Sequence, residues 1–381
     1  MSDLHVPEGA TWADLAPRLR RILRQTTDEA VVVATSGSSG APKRVRLGGA
    51  ALRASGEATA EVLGGHGRWL LALPTHHVAG LQVLARSVLA GSVPVALPPG
   101  RPFTAATFAA AVDELVGDGQ GPRYASLVPT QLHRLVGDPG DETGTRAAAT
   151  LDAVLLGGAA ADPGLLVRAR AAGVRVVTTY GMSETCGGCV YDGRPLPGVQ
   201  VRLEEGHVHL AGPVLADGYV DAVDHLDVSR TSERFVEVDG TRWFRTDDRG
   251  EIGADGRLRI LGRVDDVIIS GGHKVEPREV EAALRTLPQV DDVAVVGLSD
   301  PEWGQVVGAV IVPAGHVRDV PEGSAAWRET LRRAVPTRAL PDHALPRRVA
   351  VRHGIPLLPS GKPDLQRLRG WLDPAAGSGQ E

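Results

Sequence analysis

Cysteine is nearly absent from this chain: 381 residues contain two, Cys186 and Cys189, in the stretch CGGC. C-x-x-C spacing suits a redox pair or half of a zinc site, yet zinc needs two further ligands and a thioredoxin-like pair opens a helix in a much smaller βαβ setting. Small residues packed behind a loop are therefore the expectation. A basic excess is also lacking, since the formal net charge is −5, so no field favours nucleic acid or an anionic membrane. No run approaches the ~18 consecutive apolar residues of a membrane span, and no basic N-terminal segment leads into an apolar one. A cytoplasmic protein without stable membrane insertion is expected. Lysine is scarce too: of 41 Lys plus Arg only Lys43, Lys274 and Lys362 are lysine. Each stands beside glycine or proline, in SGAPK, SGGHK and PSGK, where a compact ammonium serves a phosphate or carboxylate better than a planar guanidinium.

What is present is ordinary for a globular enzyme: 43% hydrophobic and 23% charged residues, in a chain long enough for two or more domains. From residue 31, short β-rich runs (VVVAT, WLLALP, SVPVAL, YASLVP, LDAVLLGG, VRVVTTYG) alternate with segments of helical periodicity such as TAATFAAAVDELV and PGLLVRARAAG. The alternation predicts an α/β layer structure with largely parallel strands and ligands at the strands' carboxyl ends. Between about 196 and 262 the turn-rich stretches VQVRLEEGHVHLAG, RFVEVDGTRWFRT and ADGRLRILG predict antiparallel hairpins or a small barrel. After GRVDD comes a separate α+β unit, in which Pro277 suits a helix's first turn and Val280, Ala283, Leu284 and Leu287 form one face. The expected fold is α/β: a large N-terminal domain, residues 1–264, of layered α/β sheets with the hairpin region, then a small C-terminal domain, residues 265–381.

The loop TSGSSGAPK after the first apolar run offers glycine-freed amides and the hydroxyls of Thr35, Ser36, Ser38 and Ser39, all partners for phosphate oxygens. Its spacing is not that of a Walker loop, because Gly37 and Gly40 are three apart and Lys43 precedes Arg44. A plain turn is the competing reading. Six later stretches bear on the choice: LPTHHVAGL (73–81), LLGGAA (155–160), TTYGMSET (178–185), WFRTDDRG (243–250), GRVDDVIISGGHKVEPREVE (262–281) and LPSGKPD (358–364). In that order and spread, the set resembles the motifs of the acyl-adenylate-forming superfamily, which joins acyl-CoA synthetases, luciferases and peptide-synthetase adenylation domains.

The resemblance implies ATP, Mg²⁺ and CoA as cofactor and cosubstrates, with a small C-terminal domain that rotates between two half-reactions. Residues 35 to 43, with Gly37, Gly40 and Lys43, would hold the β- and γ-phosphates, and Glu184 the magnesium, a hard oxygen for a hard cation. Gly157, Gly158, Ala159 and Tyr180, with Gly181, Met182 and Ser183, would line the adenine. Asp248 would accept from the ribose hydroxyls with Arg263 assisting, while Asp247, standing where the family usually has glycine, would be a neighbour without a role. Lys362 would bridge carboxylate and α-phosphate. His77 would gate the acyl site and His76 pack beside it. Asp265 would be the hinge, and Gly271 and Gly272 would admit pantetheine, with Lys274 near that loop.

Few residues precede the phosphate-type loop. With LPTHHVAGLQVLARSVLAG, YASLVPTQL, LDAVLLGGAA and TYGMSETCGGCVYDG, this resembles the short bacterial o-succinylbenzoate–CoA ligases of menaquinone biosynthesis. Such a substrate, an aromatic dicarboxylic acid, keeps a second carboxylate, for which Arg86 is the candidate partner. Gln82, Ser126, Thr130 and Gln131 are candidates for the ring side. CoA ligation of another aryl or short-chain acid, loading of a carrier protein, and a silent nucleotide-binding module are the alternatives; Lys362 and Glu184 speak against the last. Relatives commonly dimerise, so a homodimer is an expectation of the same resemblance.

Overall fold

The computed structural model describes residues 2–35, 43–98, 100–117, 119–137, 141–315, 323–335, 340–358 and 363–372. The chain divides into two compact units, residues 1–246 with 252–259, and residues 247–251 with 260–381.

The first unit opens with β1 (Leu4–His5), α1 (Trp12–Leu23), β2 (Val31–Thr35), β3 (Lys43–Leu47) and α2 (Gly49–Leu63). Then come β4 (Arg68–Leu71), α3 (Val78–Ala90), β5 (Val95–Ala96), α4 (Ala105–Gly117), β6 (Arg123–Leu127), α5 (Pro129–Val136), α6 (Thr143–Ala149), β7 (Ala153–Leu156), α7 (Pro163–Ala171), β8 (Val176–Met182), β9 (Gly187–Tyr191) and β10 (Arg194–Pro195). These build a sheet in the order β10-β9-β8-β7-β6-β4-β5. From β8 to β5 the strands run parallel, and β9 and β10 extend the edge antiparallel. A parallel strand covered on both faces reads as an unbroken apolar run, and β7, AVLL, is buried at every position. Phe108, Val112 and Leu115 of α4, Leu132 and Leu135 of α5 and Leu165 of α7 pack with Leu70, Ala125 and Val154 of the sheet. Helix α3 is buried continuously from Gly80 to Ser87.

The VVVAT strand departs from the parallel expectation. It is β2, and it pairs antiparallel with β3, from Val31↔Leu47 to Thr35↔Lys43, in a separate sheet β1-β2-β3-β13. A hairpin rather than a crossover thus follows the loop, because the alternating residues Val45 and Leu47 of β3 are fully buried and give it a core face. The turn-rich stretch forms β11 (Gln200–Glu204), β12 (His207–Ala211), β13 (Gly218–Val220), α8 (Val228–Arg234), β14 (Phe235–Val238) and β15 (Thr241–Ile252). Its sheet runs β11-β12-β15-β14, with β16 (Leu258–Arg263) also paired to β15.

In the second unit β17 (Ile268–Ser270), β18 (His273–Val275), α9 (Pro277–Arg285), β19 (Val290–Asp300), β20 (Gly304–Pro313), α10 (Gly323–Ala334), β21 (Arg348–Val351) and α11 (Leu365–Leu372) surround a sheet β18-β17-β20-β19, with β21 parallel to β20. Period-two alternation splits β19: Val293 and Val295 join Val280, Leu284 and Trp327 on one face, and Ala294, Val296 and Leu298 join Leu368 and Leu372 on the other. Both faces of this sheet are covered, so a ten-residue apolar strand such as β20 can be buried from Val306 to Val312.

Candidate active site

In the first unit the motif residues stand at the carboxyl ends of parallel strands, where such sheets leave a crevice. Strand β7 ends into Gly157 and Gly158, β8 carries Tyr180, Gly181 and Met182 and turns into Ser183 and Glu184, β4 leads to His77, and β6 leads to Thr130. Two of these glycines are dictated by space. A Cβ at Gly157 would collide with Thr179 Oγ1, and one at Gly181 with the Gly187 carbonyl of the paired strand. Gly158 has φ +84°, a left-handed conformation that an L side chain resists. Ala159 follows it, half-buried. Residues 36 to 42 lie outside the described residues, and with them Ser36, Gly37, Ser38, Ser39 and Gly40. Both ends of their hairpin are described: Thr35 Oγ1 donates to the Lys43 carbonyl at 3.3 Å.

Glu184 sits in the one-turn segment Ser183–Thr185, held by Thr185 Oγ1, which accepts from Met182 N at 3.0 Å and donates to the Gly187 carbonyl at 2.8 Å. Its carboxylate is buried, 8% exposed. Oε1 accepts from the Tyr219 hydroxyl at 2.8 Å, and Lys43 Nζ lies 5.9 Å from the centre of the Tyr219 ring. Among the described residues neither a cation nor a second donor engages Oε2, so a hard oxygen is left for a hard cation, which fits magnesium. The fit is to one carboxylate completed by phosphate oxygens, since among the described residues no cluster of three His, Cys, Asp or Glu could hold a metal.

His77 caps α3, with its ring 4.3 Å from that of His76. Gln82 is buried; its Nε2 donates to the Cys186 carbonyl at 2.6 Å, and its Oε1 is unpartnered. Arg86 is 5% exposed, and its guanidinium stacks 5.0 Å over Trp69 and donates to the Tyr191 hydroxyl at 3.2 Å. Among the described residues it has no carboxylate partner, and its Nε is unpartnered. A small cavity beneath it, lined by Gly67, Trp69 and Tyr124, lies toward the amino-terminal ends of β4 and β6. Ser126 is buried on β6 and Thr130 half-buried on α5. Gln131 is used within the fold, its Nε2 donating to the Ala72 carbonyl and its Oε1 accepting from Val128 N. Cys186 and Cys189 are fully buried, unpaired thiols. Burial pushes both up, Cys189 to about 12.

In the second unit Asp247 and Asp248 of β15 meet Arg263 at the end of β16. Arg263 Nη2 donates to Asp247 Oδ2 at 3.3 Å and to Asp265 Oδ2 at 3.2 Å, and Nη1 lies 3.9 Å from Asp248 Oδ1. Burial alone would lower the Arg263 guanidinium, but the surrounding carboxylates, Asp248 first, outweigh it and raise it. Asp247 therefore shares the arginine with Asp248 in place of the glycine expected there. Asp265 is exposed, in the turn Val264–Asp266. Gly271, φ +58°, donates its N–H to the Trp303 carbonyl at 3.0 Å, and a Cβ there would press into the Trp303 ring; Gly272, φ +81°, has open space. Lys274 lies exposed on β18. Lys362 lies outside the described residues.

Sequence reasoning missed Tyr219, Thr185 and Tyr191. A tyrosine inside LADGYVDAV carries no motif, and only the pairing of β13 with β3, Tyr219↔Val45, brings it beside Lys43 and Glu184.

Residues 7–226 match the family described as AMP-binding enzyme, and residues 279–362 the AMP-binding enzyme C-terminal domain. The chain is 45% identical over 344 residues to the "Probable 2-succinylbenzoate–CoA ligase" of Mycobacterium tuberculosis, covering 83% of this chain and 86% of that one. It is 33% identical to the 2-succinylbenzoate–CoA ligase of Escherichia coli, over 73% of this chain and 57% of that one. Among solved structures it resembles o-succinylbenzoate CoA synthetase of Bacillus subtilis in complex with its acyl-adenylate intermediate: TM-score 0.70, 27% identity, 89% of this chain and 68% of that one. It also resembles the amide bond synthetase McbA of Marinactinospora thermotolerans: TM-score 0.73, 28% identity, 90% and 69%. With more than half its length matched by the family's profile and a relative this similar along most of both chains, the protein belongs to the AMP-binding enzyme family.

Proposed function

We propose that this chain is a 2-succinylbenzoate–CoA ligase that forms AMP. The observation that carries the reading is the 45% identity to the mycobacterial ligase over 344 residues, 83% of this chain and 86% of that one. In the first step a carboxylate oxygen of the acid attacks the α-phosphorus of ATP, and the bond to pyrophosphate breaks. In the second the CoA sulfur attacks the acyl carbon, the bond to AMP breaks, and the thiol proton is released.

Each step makes a demand that residues here answer. Charge on the triphosphate calls for the hairpin bounded by Thr35 and Lys43, with Glu184 on the magnesium that bound ATP carries. The adenine takes the strand ends at Gly157 and Tyr180, and the ribose Asp248, steadied by Arg263. The resemblance gives Lys362 the task of bridging carboxylate and α-phosphate. His77 and Gln82 flank the acyl site, with Ser126 and Thr130 nearby. For the acid's second carboxylate the resemblance offers Arg86, whose guanidinium stacks on Trp69, donates to Tyr191 and has no carboxylate partner among the described residues. Asp265 is the hinge between a nucleotide-binding part, residues 1–264, and a small domain, residues 265–381; Gly271 and Gly272 lie on the thiol's route. The enzyme works in the cytoplasm on small molecules, and a homodimer rests on the resemblance alone.

The likeness to an amide bond synthetase favours a second reading, in which an amine replaces the thiol as acceptor. A specificity panel tests the assignment: kcat/KM for 2-succinylbenzoate should exceed that for benzoate or succinate on the order of a hundredfold or more, because the site's buried polar group is left unpaired by acids that lack its partner. Equal rates across the panel would move the assignment to the broader aryl and short-chain CoA ligases.

A further inference from the structure

We propose that Tyr219 is a positioning residue of the adenylation site, whose hydroxyl fixes the carboxylate of Glu184 and ties it to Lys43 at the end of the phosphate hairpin. The inference rests on the reading of Glu184 as the magnesium-side carboxylate and goes beyond it by naming what aims that carboxylate.

The ring itself is held from several sides. Tyr219 N donates to Thr231 Oγ1 at 3.0 Å, and Phe235 meets the ring edge-on with centroids 6.0 Å apart. Arg230 Cζ lies 5.5 Å and Lys43 Nζ 5.9 Å from the ring centre, within the range of cation–π attraction. The Lys43 approach follows from register. Tyr219 pairs with Val45 across the β3–β13 ladder, so Lys43, two residues away on the same face, is its diagonal neighbour. Filling this pocket needs only an aromatic ring, which phenylalanine supplies at the adjoining position 235. Among the described residues the hydroxyl donates to Glu184 Oε1 at 2.8 Å, and Tyr219 is 2% exposed.

The bond shapes what Glu184 can do. With Oε1 occupied by a fixed donor and the backbone anchored by Ala216 N donating to the Glu184 carbonyl at 2.9 Å, the carboxylate cannot rotate freely and presents Oε2. Strand β13 thereby couples two elements distant in sequence: the hairpin that ends at Lys43 and the turn that carries Glu184. Outer partners of metal-side carboxylates generally change metal affinity or activity by about ten- to a hundredfold when removed.

The test is Tyr219→Phe, read by calorimetric binding of ATP across a magnesium series in the absence of acid, with AMP as the metal-independent probe. The expected result is MgATP affinity lower by roughly tenfold or more, AMP affinity unchanged, and a shifted magnesium dependence of pyrophosphate release with the KM for the acid unmoved. A Tyr219→Phe protein that binds MgATP as tightly as the parent overturns the proposal. If the single variant melts early, the cycle with Glu184→Gln decides: no further loss of MgATP affinity on adding Tyr219→Phe supports the coupling, and additive losses overturn it. Glu184→Gln alone separates the two layers. Should it leave the magnesium dependence untouched, the metal-side assignment falls and the proposal with it; should it act while Tyr219→Phe does not, only the positioning role falls.

Discussion

Arg86 is the residue proposed to meet the acid's second carboxylate. Its guanidinium is 5% exposed, stacks on Trp69, donates to Tyr191 and has no carboxylate partner among the described residues, so an anion within reach would add to its stabilisation. Arg86→Met keeps most of the volume over Trp69 and removes the charge. The KM for 2-succinylbenzoate should rise roughly tenfold or more while the KM for ATP stays put, and the unliganded protein should melt no lower than the parent. An unchanged acid KM would show that this cation serves packing against Trp69 and Tyr191 alone. The two cysteines behave oppositely to reactive thiols, since both are fully buried and held up by that burial. At about pH 8 iodoacetamide should leave the native chain unmodified and alkylate both thiols once it is unfolded; rapid native labelling would contradict the packing assignment. The packing of the cysteines was legible in the small residues around them, whereas the placement of Arg86 on Trp69 depends on a helix orientation that spacing alone does not settle.

At the scale of elements, strand ends and the glycines that follow them form the proposed nucleotide side of the site. Gly181 illustrates how tightly: any side chain at that position meets the backbone of Gly187 on the paired strand, which cannot swing aside as a flexible side chain would. Gly181→Ala should therefore destabilise the first unit by about 1–3 kcal/mol and weaken ATP binding, measured by thermal melting and by calorimetry. A variant as stable as the parent would show that β8 and β9 can part locally. The helical and strand periodicities along the parallel sheet, and the Val280 and Leu284 face of α9, could be read directly because burial on one stripe or both faces leaves a pattern in composition. The antiparallel partnership of VVVAT could not, since an apolar strand reads the same whether its neighbour returns by a hairpin or by a crossover. Nor could α11, a short helix whose buried residues Leu368 and Leu372 follow the PSGK segment. Tyr219 was invisible for a related reason: its importance lies in the register of β13 against β3, a contact between segments more than 170 residues apart that no local signal encodes.

Over the whole molecule, the proposed chemistry separates into two half-reactions that ask different things of the same chain. Lys362→Ala should slow acyl-adenylate formation by about 10²–10³, the usual loss when one charge-stabilising group is removed, while the protein still converts supplied acyl-AMP to thioester. Equal loss in both steps would contradict the assignment of lysine to the first. Asp265→Pro, which stiffens the backbone at the turn Val264–Asp266, should do the reverse and slow thioester formation selectively; an unaffected second step would remove the hinge from that turn. The most direct measurement is a single turnover with 2-succinylbenzoate, MgATP and enzyme in excess, quenched and analysed by mass spectrometry before and after CoA is added. The account predicts stoichiometric pyrophosphate with enzyme-bound 2-succinylbenzoyl-AMP in the absence of CoA, then its conversion to 2-succinylbenzoyl-CoA and AMP. Absence of the adenylate, or an adenylate that CoA leaves untouched while an amine consumes it, would contradict the account.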